Sequence, residues 1–278
     1  MSVAIIQGAS GGQGLALASH LLRHTGLHVY ALTHGKAKVL EEKLAAESGE
    51  GTGSGSGGER LSVLGGVDIR EEDGLEKAAK TVREREGKSS VRLVACMAGI
   101  LQPEKSLSAI DLDTALDAFR INTLGHLLTY KHFVPLIPTR RDLADLAKSW
   151  REDDNSTDPA RGVIGPENSL CWSMSARVGS IADNQKGGWY SYRSSKAALN
   201  QILVNKSSSA IAIAYHPGTV LTPFSQRVVG ADAKPDPPHG RFSVEQGVEH
   251  MLDVMKRVRR DDEWGGGFFD WEGKRVEW

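Results

Sequence analysis

Tyr192 and Lys196 stand four residues apart in a stretch of helical composition, YSYRSSKAALN. Side chains at that spacing lie on the same face of a helix. An ammonium group about 4 Å from a phenol oxygen contributes roughly 4 kcal/mol at an effective dielectric near 20, which favours the ionised phenol and lowers its pKa. Such a phenol can act as an acid and a base near neutral pH. The pair therefore predicts proton transfer, although an ordinary helix surface explains a lone Tyr-x-x-x-Lys equally well.

A glycine-rich turn follows the first apolar run of the chain, Val3–Gln7. Gly8, Gly12 and Gly14 have the spacing G-x-x-x-G-x-G, and apolar residues recur at helical intervals over residues 15–22. Small residues allow the backbone to approach a pyrophosphate, and the N-terminus of the next helix offers unpaired N–H groups and a favourable dipole. The turn predicts a dinucleotide site, with a tight structural turn as the plainer alternative.

The elements that must position these residues alternate between strand and helix. Helices are predicted at residues 15–22, 36–47, 71–86, 112–137, 188–206 and 244–258. Strands are predicted at residues 3–7, 28–33, 61–64, 91–96, 169–175, 211–216 and 267–271. Alternation of this kind implies parallel strands joined by crossover helices. We therefore expect an α/β fold, a Rossmann-type doubly wound parallel sheet flanked by helices.

The length of 278 residues suits one domain spanning residues 1–278. Two segments interrupt the alternation. Residues 48–59 are a Gly/Ser tract that we expect to be a flexible surface insertion. Residues 138–168 contain a charged run and are expected to loop over the surface, with a helical piece at residues 142–150.

Charge and cysteine usage limit the classes of partner and compartment. The formal net charge is −1, which gives no reason to expect nucleic acid or an anionic membrane as a partner. The apolar runs are too short to cross a bilayer, and the sequence shows no secretory signal, so we expect a cytoplasmic protein. Cys96 and Cys171 are expected to be buried hydrophobic residues. No metal site is expected, and His20 and His24 are interpreted as a surface pair.

Further motifs join the turn and the Tyr/Lys pair in one order along the chain. They are Asp68, Ala98-Gly99, Asn122, a strand containing serines, and Pro217-Gly218. In this order the sequence resembles the short-chain dehydrogenase/reductase family, and more closely its C-factor-like carbonyl-reductase branch. The stretches that carry the closer resemblance are PEKSL at 103–107, RINTLG at 120–125, SARVGSI at 175–181, GGWYSYRSSKAALN at 187–200, HPGTV at 216–220 and DWEGK at 270–274.

The resemblance implies a role for each matching residue. Tyr192 would be the catalytic acid and base, Lys196 would lower its pKa and bind the nicotinamide ribose, and Ser175 would hydrogen-bond the substrate carbonyl. Asn122 would hold a water that links Lys196 to solvent. The remaining residues would hold the cofactor: Gly8, Ser10, Gly12, Gln13 and Gly14 at the pyrophosphate, Asp68 and Ile69 at the adenine, Ala98 and Gly99 at the adenosine, and Pro217, Gly218, Val220 and Thr222 at the nicotinamide.

The sequence departs from the family pattern at three places. Met97 stands where many members have asparagine, so we expect one hydrogen bond at the strand end to be missing. Ser175 lies four residues before Gly179, whereas the family often has three. Ala176 would then occupy the usual serine position. Ser173, on the same strand face as Ser175, is the alternative candidate for the catalytic serine. The segment from Tyr192 to Pro217 is also shorter than usual, by roughly two helical turns.

The end of the second predicted strand bears on the choice of cofactor. An acidic residue there would bind the 2′-hydroxyl of NAD, and a basic one a 2′-phosphate. Residues 33–36 read THGK, without an acid, so Thr33, His34 and Lys36 favour NADP over NAD, with a merely solvated loop as the alternative.

Taken with the resemblance, these features predict an NADP-dependent oxidoreductase that acts on a small-molecule carbonyl or alcohol. The alternative is a cofactor-binding regulatory or signalling protein with little turnover. Trp189, Phe224 and residues 225–242 are expected to line the substrate pocket. The family also implies a homodimer, which the shortened helix would weaken.

Overall fold

A computed structural model describes residues 2–48, 60–152, 157–205, 209–261 and 263–278. Its main sheet has seven parallel strands in the order β3-β2-β1-β4-β5-β6-β9. This order confirms the predicted Rossmann-type doubly wound sheet, whose direction of winding reverses between β1 and β4. The strands are β1 (Val3–Gln7), β2 (His28–Leu32), β3 (Leu61–Leu64), β4 (Val91–Cys96), β5 (Leu170–Met174), β6 (Ile211–His216) and β9 (Gly267–Asp270).

Helices cover both faces of this sheet. One face packs on α1 (Gly12–His24), α2 (Ala37–Ser48) and α9 (Val244–Arg257), through Leu17, Leu40 and Met251 among others. The other packs on α3 (Glu72–Glu86), α5 (Gly125–Phe133) and α7 (Tyr190–Val204). Strands β1, β2, β4 and β5 are buried at every residue, which explains why their sequences are continuous apolar runs rather than alternating ones.

The long helix predicted at residues 112–137 is interrupted. It consists of α4 (Leu112–Phe119), a π-helical turn over Arg120–Leu124, α5, and a 3₁₀ turn over Val134–Leu136 that contains Pro135. Pro135 therefore disturbs only the last turn of this segment. The π turn was not anticipated, because residues 112–133 keep the helical pattern throughout.

The segment 138–168 contains the predicted helical piece, as α6 (Arg140–Glu152). It differs from the expected surface loop in its later part, because Ala160, Val163 and Ile164 are buried in the core beside α1. Arg92 of β4 is also fully buried, and it donates hydrogen bonds to the carbonyl oxygens of Asn168 and Gly165, both at 2.8 Å. The segment supplies acceptors for a buried guanidinium, so it is a structural part of the fold. Of the Gly/Ser tract predicted at residues 48–59, Ser48 is the buried last residue of α2, and residues 49–59 lie outside the described residues.

Residues after Pro217 form three elements that the sequence did not reveal. Strands β7 (Thr219–Val220) and β8 (Arg241–Phe242) pair in parallel, and α8 (Pro223–Val229) lies between them in the chain. Their two- to seven-residue lengths are too short for a periodic pattern to show. They place residues 217–228 at the carboxyl ends of the main strands. Among the described residues, no helix is long and apolar enough to span a membrane.

Candidate active site

A cavity of about 850 Å³ opens at the carboxyl ends of β1, β4, β5 and β6. This is the edge at which doubly wound sheets bind ligands. Most of the predicted site residues line it, as do Trp189 and Phe224 of the expected substrate pocket. The predicted residues that line it are Gly8, Ser10, Gly12, Gln13, Gly14, His34, Ala98, Gly99, Ser175, Tyr192, Lys196, Pro217, Gly218, Val220 and Thr222.

The glycine turn joins β1 to α1 in a geometry that requires glycine. Gly8 has φ +79°, and a Cβ atom there would lie 2.6 Å from the Ala98 nitrogen. A Cβ on Gly14 would lie 2.3 Å from the Gly8 oxygen. Gly12, with φ +50°, begins α1 and faces Thr222. The turn therefore leaves a backbone-lined cradle at a helix N-terminus, which suits a pyrophosphate.

The loop after β2 brings only part of the predicted nucleotide site to the cavity. His34 is exposed and lines the cavity. Thr33 is buried and does not line it, because its hydroxyl accepts a hydrogen bond from the Gly35 nitrogen at 3.1 Å.

Asp68 and Ile69 also lie outside the cavity lining. Both carboxylate oxygens of Asp68 accept hydrogen bonds from Arg70, which lowers the pKa of Asp68, with His34 as a weaker contributor. Ile69 packs where a side chain on Gly125 would be.

Gln7 adds a side-chain bond at the strand ends where Met97 replaces the asparagine of the family. Its Oε1 accepts a hydrogen bond from the Ala98 nitrogen at 3.2 Å, while its main-chain oxygen accepts one from Met97. Gln7 is fully buried. The expected gap at this strand end is thus bridged by a different residue.

Tyr192 and Lys196 lie in the first two turns of α7, as the spacing predicts. The Lys196 ammonium lies 5.9 Å from the centre of the Tyr192 ring and donates a 2.7 Å hydrogen bond to the Met174 oxygen. Burial lowers the pKa of Lys196 to about 7. Burial also raises the pKa of Tyr192 above its ordinary value, opposite to the tuning expected from the sequence, because desolvation of the phenolate dominates at this separation.

Ser175 lines the cavity, but its hydroxyl is engaged elsewhere. Its Oγ donates a hydrogen bond to Asn200 Oδ1 at 2.6 Å. Ala176 instead packs with Tyr192 in a small apolar cluster. This contact favours the alternative in which Ala176 occupies the usual serine position.

Ser173, the other alternative, lies away from the cavity. Its hydroxyl is buried between His126 Nδ1 at 2.9 Å and the Tyr130 hydroxyl at 2.7 Å. His126 Nε2 in turn lies 2.9 Å from the Ala98 oxygen, and burial lowers the pKa of His126 to about 3. The neutral imidazole therefore supports the strand end beneath the cavity.

Asn122 sits on the π turn and is fully buried, outside the cavity lining. Its Oδ1 accepts from the Ile100 nitrogen at 2.8 Å, and its Nδ2 donates to the Ile100 oxygen and to Ser195 Oγ, both at 3.0 Å. Asn122 therefore fixes the segment after β4 to α7.

Arg177, His216 and Arg193 are among the polar residues of the cavity that had no role in the sequence-based prediction. Arg177 follows Ala176 directly, and His216 ends β6. Arg193 donates hydrogen bonds to the carbonyl oxygens of Val178, Gly187 and Gly188 and so holds the loop before α7. His216 stands in the recognised HPGTV stretch and Arg193 in YRSSK, but nothing local shows which way their side chains point.

The two cysteines and the His20/His24 pair, which the sequence analysis also considered, pack within the fold. Cys96 and Cys171 are free and buried, as predicted. His20 and His24 lie with ring centres 4.4 Å apart, and His20 is half-buried, so the pair is not fully on the surface. In the part of the chain that the structure describes, no three His, Cys, Asp or Glu residues could hold a metal ion.

Comparison with known proteins gives two curated relatives. The chain is 25% identical over 219 residues to 1-hydroxy-2-glutathionyl-2-methyl-3-butene dehydrogenase of a Rhodococcus species, covering 76% of this chain and 81% of the relative. It is 34% identical over 110 residues to C-signal of Myxococcus xanthus, covering 38% of this chain and 58% of that protein. No protein-family model matches the chain.

Solved structures share the whole fold. An NADPH-bound carbonyl reductase from chicken fatty liver superposes with a TM-score of 0.74 and 24% identity, over 100% of both chains. At this identity the likeness establishes the fold, and the chemistry rests on the residues described above.

Proposed function

We propose that the chain is an NADP-dependent oxidoreductase of the short-chain dehydrogenase/reductase type, which reduces a carbonyl group or oxidises an alcohol; its similarity to a dehydrogenase, to C-signal and to carbonyl-reductase structures supports this. The observation that carries this proposal is the placement of Tyr192 and Lys196 in the same cavity as the glycine turn. A dinucleotide bound at the glycine turn would then share the cavity with the proton donor Tyr192, and both would face the same substrate.

The glycine cradle supports a dinucleotide as the cofactor. Gly8, Gly12 and Gly14 leave space that a Cβ atom would fill, and α1 directs its N-terminal N–H groups toward the cavity. His34, one of the residues predicted to bind a 2′-phosphate, lines this cavity. The chicken carbonyl reductase of the same fold is bound to NADPH. We therefore prefer NADP to NAD.

Tyr192 would supply the proton for reduction, while the bound nicotinamide would supply the hydride. Burial raises the pKa of Tyr192, so the phenol is protonated at neutral pH and suited to donate. Its hydroxyl makes no hydrogen bond to any residue that the structure describes, which leaves it free for a substrate oxygen. Lys196, held by the Met174 oxygen, would position the ribose and stabilise the phenolate that forms.

The test is substrate-dependent oxidation of NADPH by the purified chain, measured as the loss of the reduced cofactor's absorbance, across a panel of aldehydes and ketones. Tyr192→Phe should abolish turnover and retain NADPH binding, because only the hydroxyl is removed. Tyr190→Phe is the matched control, since Tyr190 is exposed and outside the cavity lining. Turnover that survives in Tyr192→Phe would contradict the assignment.

A cofactor-binding signalling protein is the second candidate. The similarity to C-signal and the presence of Ala176 beside Tyr192, where a serine hydroxyl is usual, favour it. This candidate predicts that NADPH binds tightly while every carbonyl in the panel leaves the cofactor unoxidised. Measuring binding and turnover on the same preparation separates the two.

A further inference from the structure

Arg177 is held in one orientation at the edge of the cavity. Its Nη2 donates a 2.8 Å hydrogen bond to Asp270 Oδ2. The other carboxylate oxygen of the buried Asp270 accepts from the main-chain nitrogens of Glu272 and Lys274, at 3.1 and 3.0 Å. The guanidinium also lies 5.9 Å from the centre of the Trp271 ring. Carboxylate and ring together fix a side chain that would otherwise be flexible.

His216 lies beside this guanidinium. Its ring meets Trp271 edge to face, with ring centres 5.4 Å apart. Its Nδ1 is buried and has no hydrogen-bond partner among the described residues. Burial, with a smaller effect of Arg177, lowers the pKa of His216 to about 3, so the imidazole is neutral and carries one N–H. An unpaired buried nitrogen is costly, so binding of a group that pairs with the ring would be favoured.

Both side chains line the cavity close to the proposed reaction centre. Arg177 follows Ala176, which packs on Tyr192, and His216 precedes Pro217. The Nε and Nη1 atoms of Arg177 make no hydrogen bond to a described residue, so donors remain for a ligand. The remaining N–H groups of this fixed cation suit a carboxylate, which accepts charge-assisted hydrogen bonds.

The other charged residues of the cavity do not provide the same site. The Nε, Nη1 and Nη2 atoms of Arg193 already donate hydrogen bonds to three loop carbonyl oxygens. Lys186 is exposed at the cavity wall, and so is the acidic Asp183. Lys196 is also held in place, but the proposed function assigns its ammonium to the ribose and to Tyr192. Among the remaining described cations of the cavity, Arg177 is the one that is both fixed and equipped with open donors.

We propose that Arg177 and His216 form a subsite that binds a carboxylate group of the substrate, so that the preferred substrates are aldehydes or ketones that carry a carboxylate. This inference rests on the proposed reductase function and specifies its substrate class. Arg177 would bind one or both carboxylate oxygens, and the His216 N–H would donate a further hydrogen bond.

The test compares two aldehydes that differ in charge, 4-carboxybenzaldehyde and its methyl ester, as the ratio of their kcat/KM values with NADPH. Arg177→Gln should lower this ratio by about tenfold to a hundredfold, the effect expected of a charge-assisted hydrogen bond. Arg177→Lys should retain part of the preference. His216→Phe keeps the ring against Trp271 and should lower the ratio a few-fold.

Lys274→Gln is the control, because it removes one positive charge beside Asp270 from an exposed side chain outside the cavity. Its ratio should equal that of the wild-type chain. Turnover of the ester in Arg177→Gln shows that the variant is folded and active. A ratio that Arg177→Gln leaves unchanged would overturn the subsite.

A binding measurement separates failure of the subsite from failure of the proposed function. Titration calorimetry of benzoate and benzamide into the protein with NADPH should show tighter binding of benzoate, lost in Arg177→Gln. If no aldehyde is reduced but this preference holds, the reductase function fails and the subsite stands. Equal binding of benzoate and benzamide by the wild-type chain rejects the subsite.

Discussion

Ser175 donates its hydroxyl hydrogen to Asn200 across 2.6 Å, from the end of β5 to the middle of α7. Asn200 also donates to the Gly179 oxygen at 3.3 Å, so it links the strand end to the turn that follows it. The hydroxyl is part of this link. The Ser175 hydroxyl therefore helps to connect β5, the turn after it and α7 around the cavity.

Replacing Ser175 by alanine should have little effect on kcat/KM for a neutral aldehyde, whereas Ala176→Ser should raise it. A hydroxyl at position 176 would lie beside Tyr192 and could bond the substrate oxygen, an effect of up to about 100-fold for such donors. Steady-state kinetics of the two variants show which of the two positions can bind the substrate oxygen. A large loss in Ser175→Ala, with Ala176→Ser unchanged, would restore Ser175 as the serine that binds substrate.

Ser173→Ala should destabilise the chain without changing turnover by the folded fraction. The substitution leaves His126 and Tyr130 without their shared partner in the core, which costs about 1–3 kcal/mol. Urea denaturation measures this loss, with Ser106→Ala as the exposed control. A stability equal to that of the wild-type chain would show that the buried chain of hydrogen bonds contributes nothing.

Lys196→Met should abolish reductase activity and weaken NADPH binding, because the ammonium is the proposed partner of both Tyr192 and the ribose. A variant as active as the wild-type chain would refute this role. The same variant should change how stability depends on pH. Burial lowers the pKa of Lys196 from an ordinary 10.5 to about 7 in the folded chain.

Between those two values the unfolded chain binds more protons than the folded one. The free energy of unfolding of the chain without cofactor should therefore gain from Lys196 as pH rises from about 7 to about 10. In Lys196→Met this contribution is absent, so the difference in stability between the two chains should vary over that range. Urea titrations of both chains at four pH values measure it, and a constant difference would contradict the assignment.

NADPH should bind more tightly than NADH. Residues 33–36 after β2 include no acid that could bind the 2′-hydroxyl of NAD, and His34 lines the cavity. The carboxylate of Asp68 is paired with Arg70. Calorimetry should give a preference of about tenfold or more, which corresponds to about 1.4 kcal/mol. His34→Asp should reduce it, and a wild-type preference for NADH would show that the loop does not bind a 2′-phosphate.

We propose a homodimer that is weaker than is usual for the family. Leu112 and Leu116 of α4 and Leu124 and Leu127 beside and within α5 are exposed. Helix α7 has 15 residues, about 22 Å, and so offers limited area beside them. Sedimentation velocity over a dilution series should show dissociation in the micromolar range. A dimer that persists at nanomolar concentration would contradict this proposal.

The sequence by itself determined the order of the elements and most of the cavity wall. Apolar runs such as Val91–Cys96 specify a strand locally, and glycine at positions 8 and 14 is required by the turn itself. Tyr192 and Lys196 were correctly placed because their relation is helical spacing, which the sequence contains in full.

Only the tertiary structure decided where side chains point and what surrounds them. The direction of the Ser175 hydroxyl depends on Asn200, and the pKa of Tyr192 depends on burial by elements far apart in the chain. The pairing of Arg177 with Asp270 joins residues 93 positions apart. Hydrogen bonding and desolvation act through space, and the packing of β5, β6, β9 and α7 brings these groups together.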